Sequence, residues 1–138
     1  MKRGQEVFVD SGAWIALALT RDPLHLRAVD TWYRLFDVRA RLYTSAPVVL
    51  ETFTFLDRNA SRDVALTWKE SLRDVDGLNV LGCSADDVEL AWKYFKRRDL
   101  HKLSAVDATS FVLMTKHGIK HAFSFDHHFA SVGFQIAG

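Results

Sequence analysis

Short apolar segments alternate with longer helical patterns along this chain, and that alternation limits its fold more than any other feature. The strand-like segments, each bounded by polar or turn residues, are Glu6–Val9, Arg41–Thr44, Leu78–Leu81, Lys120–Phe125 and Gly133–Ile136. The predicted helices are Ser11–Leu19, Leu24–Ala40, Pro47–Arg58, Arg62–Val75, Ala85–Arg97 and Ala105–His117. Strands that alternate with helices of about ten residues or more indicate βαβ units. The sequence therefore predicts an α/β fold, a three-layer α/β/α sandwich with a mostly parallel central sheet of four to five strands.

Length and composition are those of a globular protein. The 138 residues, 49% of them hydrophobic and 25% charged, predict a single domain over 1–138 with a sizeable core. No apolar run approaches the roughly 18 residues that cross a bilayer, and the N-terminus has no signal-peptide core. The single cysteine, Cys83, cannot form an internal disulfide, which fits a reducing compartment. We therefore expect a cytoplasmic protein that does not enter a membrane.

The formal net charge of +1 argues against nucleic-acid binding through overall charge. Proteins that bind nucleic acid in that way are usually far more basic. A nucleic-acid partner would need a local basic patch or bound cations. One basic group precedes the last long helix and contains Lys96, Arg97, Arg98, His101 and Lys102. Two roles fit this group equally well, a solvated helix end and a contact with an RNA backbone.

Four acidic residues follow predicted strands or lie near the start of helices. Asp10 directly follows the first strand, and Asp126 follows the fourth. Glu51 lies in the second turn of the helix behind the second strand, and Asp107 comes three residues after Ser104. The helix that carries Glu51, Pro47–Arg58, has apolar residues on nearly all sides, which predicts that it is buried. Taken singly, Asp10 can be explained as a helix N-cap and Asp126 as the first residue of an Asx-turn. Glu51 can be explained as a salt-bridge partner, and Asp107 as a capping-box acid. Together, however, they are expected at one edge of the sheet, where ligands of parallel α/β sheets bind.

Four carboxylates at one edge would repel one another, so such a site needs a positive counter-charge. Mg²⁺ or Mn²⁺ suits a site made of carboxylates and water. Zinc fits less well because no cysteine–histidine cluster has the required spacing, and we expect surface or local hydrogen-bonding roles for His127 and His128. A bound cation of this kind lowers the pKa of a water molecule and can stabilise a leaving oxygen. This is the chemistry of phosphodiester hydrolysis.

The four acids lie in four short motifs, VFVDSGAW, SAPVVLE, LSAVDATSF and SFDHHF. In this order and at this spacing, the motifs resemble those of the PIN-domain nucleases, a family that includes the VapC-type toxins. The similarity runs over nearly the whole chain. It implies a Mg²⁺- or Mn²⁺-dependent endoribonuclease, with RNA as its substrate and a parallel sheet between helices. It further implies a homodimer, and it makes an antitoxin protein a candidate partner.

The resemblance also assigns roles to individual residues. The predicted catalytic and metal-binding acids are Asp10, Glu51, Asp107 and Asp126. Ser11 matches the small hydroxyl residue that helps to hold the site in the family, and Ser124 is a weaker candidate for a similar role. Asp99 is an additional acid before Asp107, and we interpret it as a loop residue, with an auxiliary metal role as the alternative.

Other functions fit the sequence less well. A non-catalytic PIN-like module that binds RNA or protein is the main alternative, and the loss of one or more acids would favour it, but all four are present. A haloacid-dehalogenase-type phosphatase needs a second aspartate two residues after the first, where this chain has Gly12. Flap-type DNA endonucleases usually carry more acids and long insertions. We therefore predict cleavage of RNA.

Overall fold

A parallel sheet of five strands forms the centre of the computed structural model, which describes residues 1–137. The strands are β1 Glu6–Val9, β2 Arg41–Ser45, β3 Asn79–Leu81, β4 His121–Phe123 and β5 Gln135–Ile136. They lie in the order β3-β2-β1-β4-β5, and each neighbouring pair is parallel. The predicted α/β fold with a parallel sheet of four to five strands is confirmed.

Helices connect the strands. Within residues 1–137 the α-helices are α1 Ser11–Ala18, α2 His25–Asp37, α3 Ala46–Asn59, α4 Arg62–Ser71, α5 Ala85–Ala91, α6 Ala105–Lys116 and α7 His128–Ser131. Two 3₁₀-helices, Leu72–Asp74 and Trp92–Lys96, directly follow α4 and α5. The predicted helices at these two places therefore tighten into 3₁₀ turns at their ends, and α7 was not predicted. In the described part of the chain, every helix is too short or too polar to cross a membrane.

The order of the strands brings the ends of β1, β2 and β4 to the same edge of the sheet. β1 lies in the middle, with β2 on one side and β4 on the other. Val9 of β1 pairs with Phe123 of β4, and the N–H of Asp10 donates to the carbonyl of Phe123 at 3.0 Å. The direction of the chain connections changes between these two strands, and such a point is where open α/β sheets bind ligands.

Trp14 fixes α1 against the sheet directly behind this edge. Its side chain is buried, and the indole Nε1 donates to Oγ1 of Thr44 at 3.1 Å. The hydroxyl of Thr44 in turn donates to the carbonyl of Val9 at 2.9 Å. The indole also packs against Trp32 and Trp68, with ring centroids 5.7 and 6.1 Å away. A buried indole whose N–H is satisfied in this way has little freedom, so the first turn of α1 is held in place.

The helix α3 is less buried than its sequence predicts. Apolar residues on nearly all sides of Pro47–Arg58 predicted a fully buried helix, but Leu50 is 69% exposed and Phe55 is 39% exposed. Only the side that carries Val48 and Leu56 is fully buried, since α3 packs against α1, α4 and α6 and is open elsewhere. The prediction was wrong because a pattern shows which residues are apolar and not how many elements surround a helix.

Candidate active site

An open cleft of about 360 Å³ lies at the carboxyl edge of the sheet. The residues that line it are Asp10, Ser11, Gly12, Glu51, Ser104, Asp107, Phe125 and Asp126. The structure thus brings the four predicted acids together, although they come from different strand ends and helices. Ser11 lies among them, and Ser124 lies directly behind.

Asp10 is a buried carboxylate that does not act as a helix cap. It occupies the N-cap position of α1, yet among residues 1–137 its side chain makes no capping hydrogen bond. Oδ2 accepts from the hydroxyl of Ser124 at 3.0 Å, whereas Oδ1 is buried without a partner among the described residues. Burial raises the pKa of Asp10 to about 6, and the charges of Glu51 and Asp126 add to this rise. The nearby backbone N–H of Ser11 and the hydrogen bond from Ser124 oppose it.

Asp107 is also buried, and its pKa is raised further, to about 9. The largest cause is burial, followed by the charge of Asp10 and a hydrogen bond shared with Asp126. The backbone N–H of Asp107 donates to Oγ of Ser104 at 3.0 Å, so the first half of the predicted capping box forms. Its carboxyl group is therefore neutral at about pH 7.5 when only protein groups surround it.

The same Ser-x-x-Asp pattern occurs at Ser84 and Asp87, where the complete capping box forms. The N–H of Asp87 donates to Oγ of Ser84 at 3.1 Å, and the N–H of Ser84 donates back to Oδ2 of Asp87 at 3.0 Å. Nζ of Lys116 lies 3.2 Å from Oδ1 of Asp87. The hydrogen bond from Ser84 and the contact with Lys116 lower the pKa of Asp87. In the part of the chain that is described, the carboxyl group of Asp107 does not accept from the N–H of Ser104. A complete capping box therefore does not explain why an acid occupies this position.

Ser124 joins the first and the last acid. This serine is fully buried, and its Oγ donates to Oδ2 of Asp10 at 3.0 Å and accepts from the N–H of Asp126 at 3.0 Å. Burial by itself would raise the pKa of Asp126, but hydrogen bonds from Asp107 and from the N–H of His128 lower it. The pKa values of these two neighbouring acids therefore shift in opposite directions, up for Asp107 and down for Asp126.

Ser11 holds Glu51 at the cleft. Its Oγ donates to Oε1 of Glu51 at 2.6 Å. Within residues 1–137 neither a lysine nor an arginine pairs with Glu51, so the salt-bridge explanation is not supported. Two hydroxyl groups, those of Ser11 and Ser124, therefore each orient one acid.

Asp99 lies away from the four acids. Its Oδ2 is 2.6 Å from Nη2 of Arg97, and its side chain is 56% exposed. The hydrogen bond from Arg97 lowers the pKa of Asp99. It does not line the cleft, so the structure does not bring Asp99 to the candidate metal site. Arg98 and Lys102 beside it are exposed, and their contact with RNA stays a prediction.

The chain matches a known family over most of its length. The sequence model of the family described as PIN domain matches residues 7–135. This chain belongs to the PIN-domain family. A curated relative, the 23S rRNA-specific endonuclease VapC20 of Mycobacterium tuberculosis, is 36% identical over 128 residues, which are 93% of this chain and 95% of the relative. The predicted resemblance is confirmed.

Two solved structures have the same architecture as this PIN domain. The crystal structure of Mycobacterium tuberculosis VapC20, described as a sarcin–ricin loop cleaving toxin, matches with a TM-score of 0.79 and 35% identity. That match covers 93% of this chain and 95% of VapC20. DNA-bound VapBC from Salmonella typhimurium matches with a TM-score of 0.64 and 13% identity over 96% of each chain. At so low an identity, the second match supports the fold alone.

The acids of this PIN domain fit a hard divalent cation. All the candidate donors are carboxylate oxygens, which Mg²⁺ and Mn²⁺ prefer. Oδ1 of Asp10 is a buried oxygen that the described residues leave unpaired, and such an atom is costly unless a ligand satisfies it. The raised pKa values reflect burial and crowded negative charge, and a cation would relieve the crowding. The residues that could hold it are Asp10, Glu51, Asp107 and Asp126.

For His127 and His128 the sequence predicted surface or local hydrogen-bonding roles, without indicating which of the two is buried. The side chain of His127 is 79% exposed, whereas His128 is buried. Donor atoms of Asp126 and both histidines lie within 4.8 Å of one another, and the ring of His128 faces the acid. The apolar neighbours Phe125 and Phe129 do not indicate which of the two histidines is buried.

Proposed function

We propose that this chain is a metal-dependent endoribonuclease that hydrolyses phosphodiester bonds of RNA, and that it is the toxin of a toxin–antitoxin pair. One observation carries the proposal: four acids meet in one open cleft, and one of their oxygens is buried without a partner among the described residues. The relative that is 36% identical over 93% of this chain is a 23S rRNA-specific endonuclease. We therefore propose ribosomal RNA as the first substrate to test.

The proposed cofactor is Mg²⁺ or Mn²⁺, held by the four acids. It would supply a bound water of lowered pKa and positive charge beside the scissile phosphate. The serines of the site would position its ligands, because Ser11 orients Glu51 and Ser124 orients Asp10 relative to Asp126. Because the pKa of Asp107 is raised to about 9, its carboxyl group would have to lose a proton before it could bind a cation.

A basic loop, residues 97–104, lies beside the cleft and is our candidate for the RNA contact. It ends at Ser104, which lines the cleft. Arg98 and Lys102 on this loop are exposed, whereas Arg97 already pairs with Asp99. We propose that Arg98 and Lys102 bind backbone phosphates, which position an RNA without reading its sequence.

A PIN-like module that binds RNA or protein without cutting it is the alternative function. Such a module has no need for carboxyl groups that are buried and crowded in one cleft. Burial of this kind is costly, and strongly shifted pKa values are commonest at functional sites. The pKa values of Asp10 and Asp107 therefore favour an enzyme.

The proposed activity is tested by incubating the purified protein with intact ribosomes and with total RNA, in Mg²⁺ or Mn²⁺, and mapping new RNA ends. We expect a cut in 23S rRNA, in the sarcin–ricin loop, and no cut in EDTA. Attack by water leaves no 2′,3′-cyclic phosphate, so the chemistry of the ends also distinguishes this activity from a contaminating metal-independent ribonuclease. Cleavage that survives EDTA would refute metal dependence, and binding without cleavage would favour the non-catalytic module.

Exposed apolar side chains support protein partners. On α2, Leu26 is 81% exposed, Tyr33 is 64% exposed and Phe36 is 77% exposed, and Leu50 of α3 is also open. Large apolar patches on a protein surface usually mark interaction sites. We propose a homodimer and an antitoxin partner.

Light scattering should give twice the mass of one chain, and co-expression with a small neighbouring reading frame should yield a stable complex without ribonuclease activity. A monomer at micromolar concentration would contradict the homodimer.

A further inference from the structure

His128 is a buried imidazole to which the proposed reaction gives no role. It is the first residue of α7 and is 4% exposed. The ring of His127 lies 4.3 Å away, between centroids, and is open to solvent. Burying a polar ring is costly unless its nitrogens have partners. The contacts of the two ring nitrogens therefore indicate why His128 is there.

The ring nitrogens of His128 contact two different parts of the site. Nε2 lies 2.7 Å from the carbonyl oxygen of His101, and since a carbonyl can only accept, Nε2 carries a hydrogen and donates it. Nδ1 lies 2.7 Å from Oδ1 of Asp126, at an angle outside hydrogen-bond geometry. The backbone N–H of His128 donates to the same Oδ1 at 2.9 Å. His128 thus contacts Oδ1 of Asp126 with both its backbone N–H and its ring.

The carbonyl of His101 belongs to the basic loop, residues 97–104, and this loop needs support. Lys102 has a φ of 57°, in the left-handed region that residues with a side chain seldom adopt. A backbone in this region persists only where its surroundings hold it. Leu100 is buried beneath the loop, and Nη2 of Arg97 donates to the carbonyl of Ser131 in α7 at 3.3 Å. The hydrogen bond from His128 therefore adds to a set of contacts that fix the loop against α7.

We propose that His128 is a positioning residue, which fixes the basic loop and the carboxylate of Asp126 relative to each other. RNA phosphates bound by the loop would then place the scissile phosphate at the acid cluster. The part that concerns RNA rests on the proposed function, whereas the part that concerns Asp126 does not. His128 acts through Asp126 and the loop, and it does not itself need to touch the substrate.

The test compares His128→Phe, His128→Gln and the control His127→Gln. Phenylalanine keeps a ring of similar size and loses both nitrogens. The amide nitrogen of glutamine lies as many bonds from the backbone as Nε2 of histidine, so it can still donate to the carbonyl of His101. His127 is the immediate neighbour and is exposed, so its replacement controls for a change in this segment of the chain.

Two readouts are measured for each protein. The first is the rise in melting temperature during a titration with Mn²⁺ in the absence of RNA. The second is kcat and KM for RNA cleavage at saturating Mn²⁺. For His128→Phe we expect the half-saturating Mn²⁺ concentration and KM to rise. We also expect kcat to fall by about 10–100-fold, as is typical when a residue that orients a metal ligand is lost. His128→Gln should have a KM close to that of wild type. His127→Gln should keep kcat, KM and the half-saturating Mn²⁺ concentration within about twofold of wild type, since surface substitutions usually have small effects.

Three outcomes would overturn the proposal. One is a His128→Phe variant whose Mn²⁺ titration and kinetics match those of His127→Gln. Another is a loss of activity in His128→Phe that merely follows its folded fraction in the melts, with no recovery in His128→Gln. The third is a kinetic loss with an unchanged Mn²⁺ titration, which would remove Asp126 from the explanation. If wild type cuts no RNA, the proposed function fails, and the Mn²⁺ titrations still decide whether His128 positions Asp126.

Discussion

Replacing Asp107 by Asn should abolish RNA cleavage and leave the metal-free protein about as stable as wild type. The pKa of Asp107 is raised to about 9, so its carboxyl group is already neutral at about pH 7.5, and an amide of similar shape replaces it at little cost. Cation binding needs the ionised carboxylate, which Asn cannot provide. Because the loss of groups that only orient a metal ligand costs about 10–100-fold, we expect a loss of more than about a hundredfold from a direct ligand.

Asp87→Asn is the matched control, because it changes the same residue type in the same Ser-x-x-Asp pattern. Asp87 completes the capping box with Ser84 and pairs with Lys116, and its pKa is lowered. Its charge therefore stabilises the fold, so this variant should melt at a lower temperature in EDTA and cut RNA normally when folded. The measurements are thermal melts in EDTA and cleavage of a labelled RNA in Mn²⁺. Near-normal cutting by folded Asp107→Asn would remove Asp107 from the site.

The fold could be predicted from the sequence because its central strands are buried on both faces. Val7, Phe8 and Val9 of β1 are fully buried, and a strand in this position appears as an uninterrupted apolar run. The strand ends were harder to predict. The inner strand Lys120–Phe125 shortens to His121–Phe123, and the outer strands Leu78–Leu81 and Gly133–Ile136 shorten to Asn79–Leu81 and Gln135–Ile136. Most residues of these edge strands are exposed, so burial leaves little signal in their sequence.

The place of the four acids could be predicted, but their protonation could not. Asp10 and Asp126 follow strands, Glu51 and Asp107 lie in the first two turns of helices, and parallel strands end at one edge. Their pKa values depend on burial and on distances between groups that are remote in sequence. Ser84 with Asp87 and Ser104 with Asp107 share one pattern, yet the pKa of the first aspartate is lowered and that of the second is raised. The difference comes from the N–H of Ser84 and from Lys116 at the first place, and from burial and the other acids at the second.

Asp99 and His128 show the same limit. Asp99 is near Asp107 in sequence, but it turns outward to pair with Arg97. His128 resembles its exposed neighbour in sequence, but it is buried beneath the loop that carries His101, which is 27 residues away. Contacts between a loop and a helix that are this far apart leave no periodic pattern in a single sequence.

Replacing Asp10 by Asn should stabilise the metal-free protein at about pH 7.5. Asp10 is buried, one of its oxygens has no partner among the described residues, and its pKa is raised from 3.8 to about 6. For an acid whose pKa is raised by folding, the stabilising contribution is complete below the unfolded pKa and is lost as the pH rises through the folded pKa. At about pH 7.5 wild type has lost all of it, and Asn has no charge to bury. We expect a gain on the order of 1–3 kcal/mol, since one pKa unit corresponds to about 1.4 kcal/mol.

The advantage of Asp10→Asn in EDTA should shrink as the pH is lowered from about 7.5 to about 4.5. Over this range wild type takes up a proton at Asp10 and regains stability, whereas the amide does not titrate. Melts of both proteins at several pH values measure the difference. A difference that does not change with pH would mean that the charge of Asp10 is not the source of the gain.

Mn²⁺ should reverse the order of the two proteins. A cation that binds only the folded state stabilises it by RT ln(1 + [L]/Kd), about 2.7 kcal/mol at a hundred times Kd. Wild type should gain this stability, and Asp10→Asn should gain much less because a neutral amide is a poorer ligand for a hard cation.

The experiment measures thermal melts of wild type, Asp10→Asn and Asp87→Asn in EDTA and in millimolar Mn²⁺. Asp87→Asn should be destabilised in both conditions and still show the full response to Mn²⁺, because Asp87 lies outside the cleft. Equal responses in wild type and Asp10→Asn would show that Asp10 does not bind the cation, and a less stable Asp10→Asn in EDTA would show that its carboxylate supports the fold.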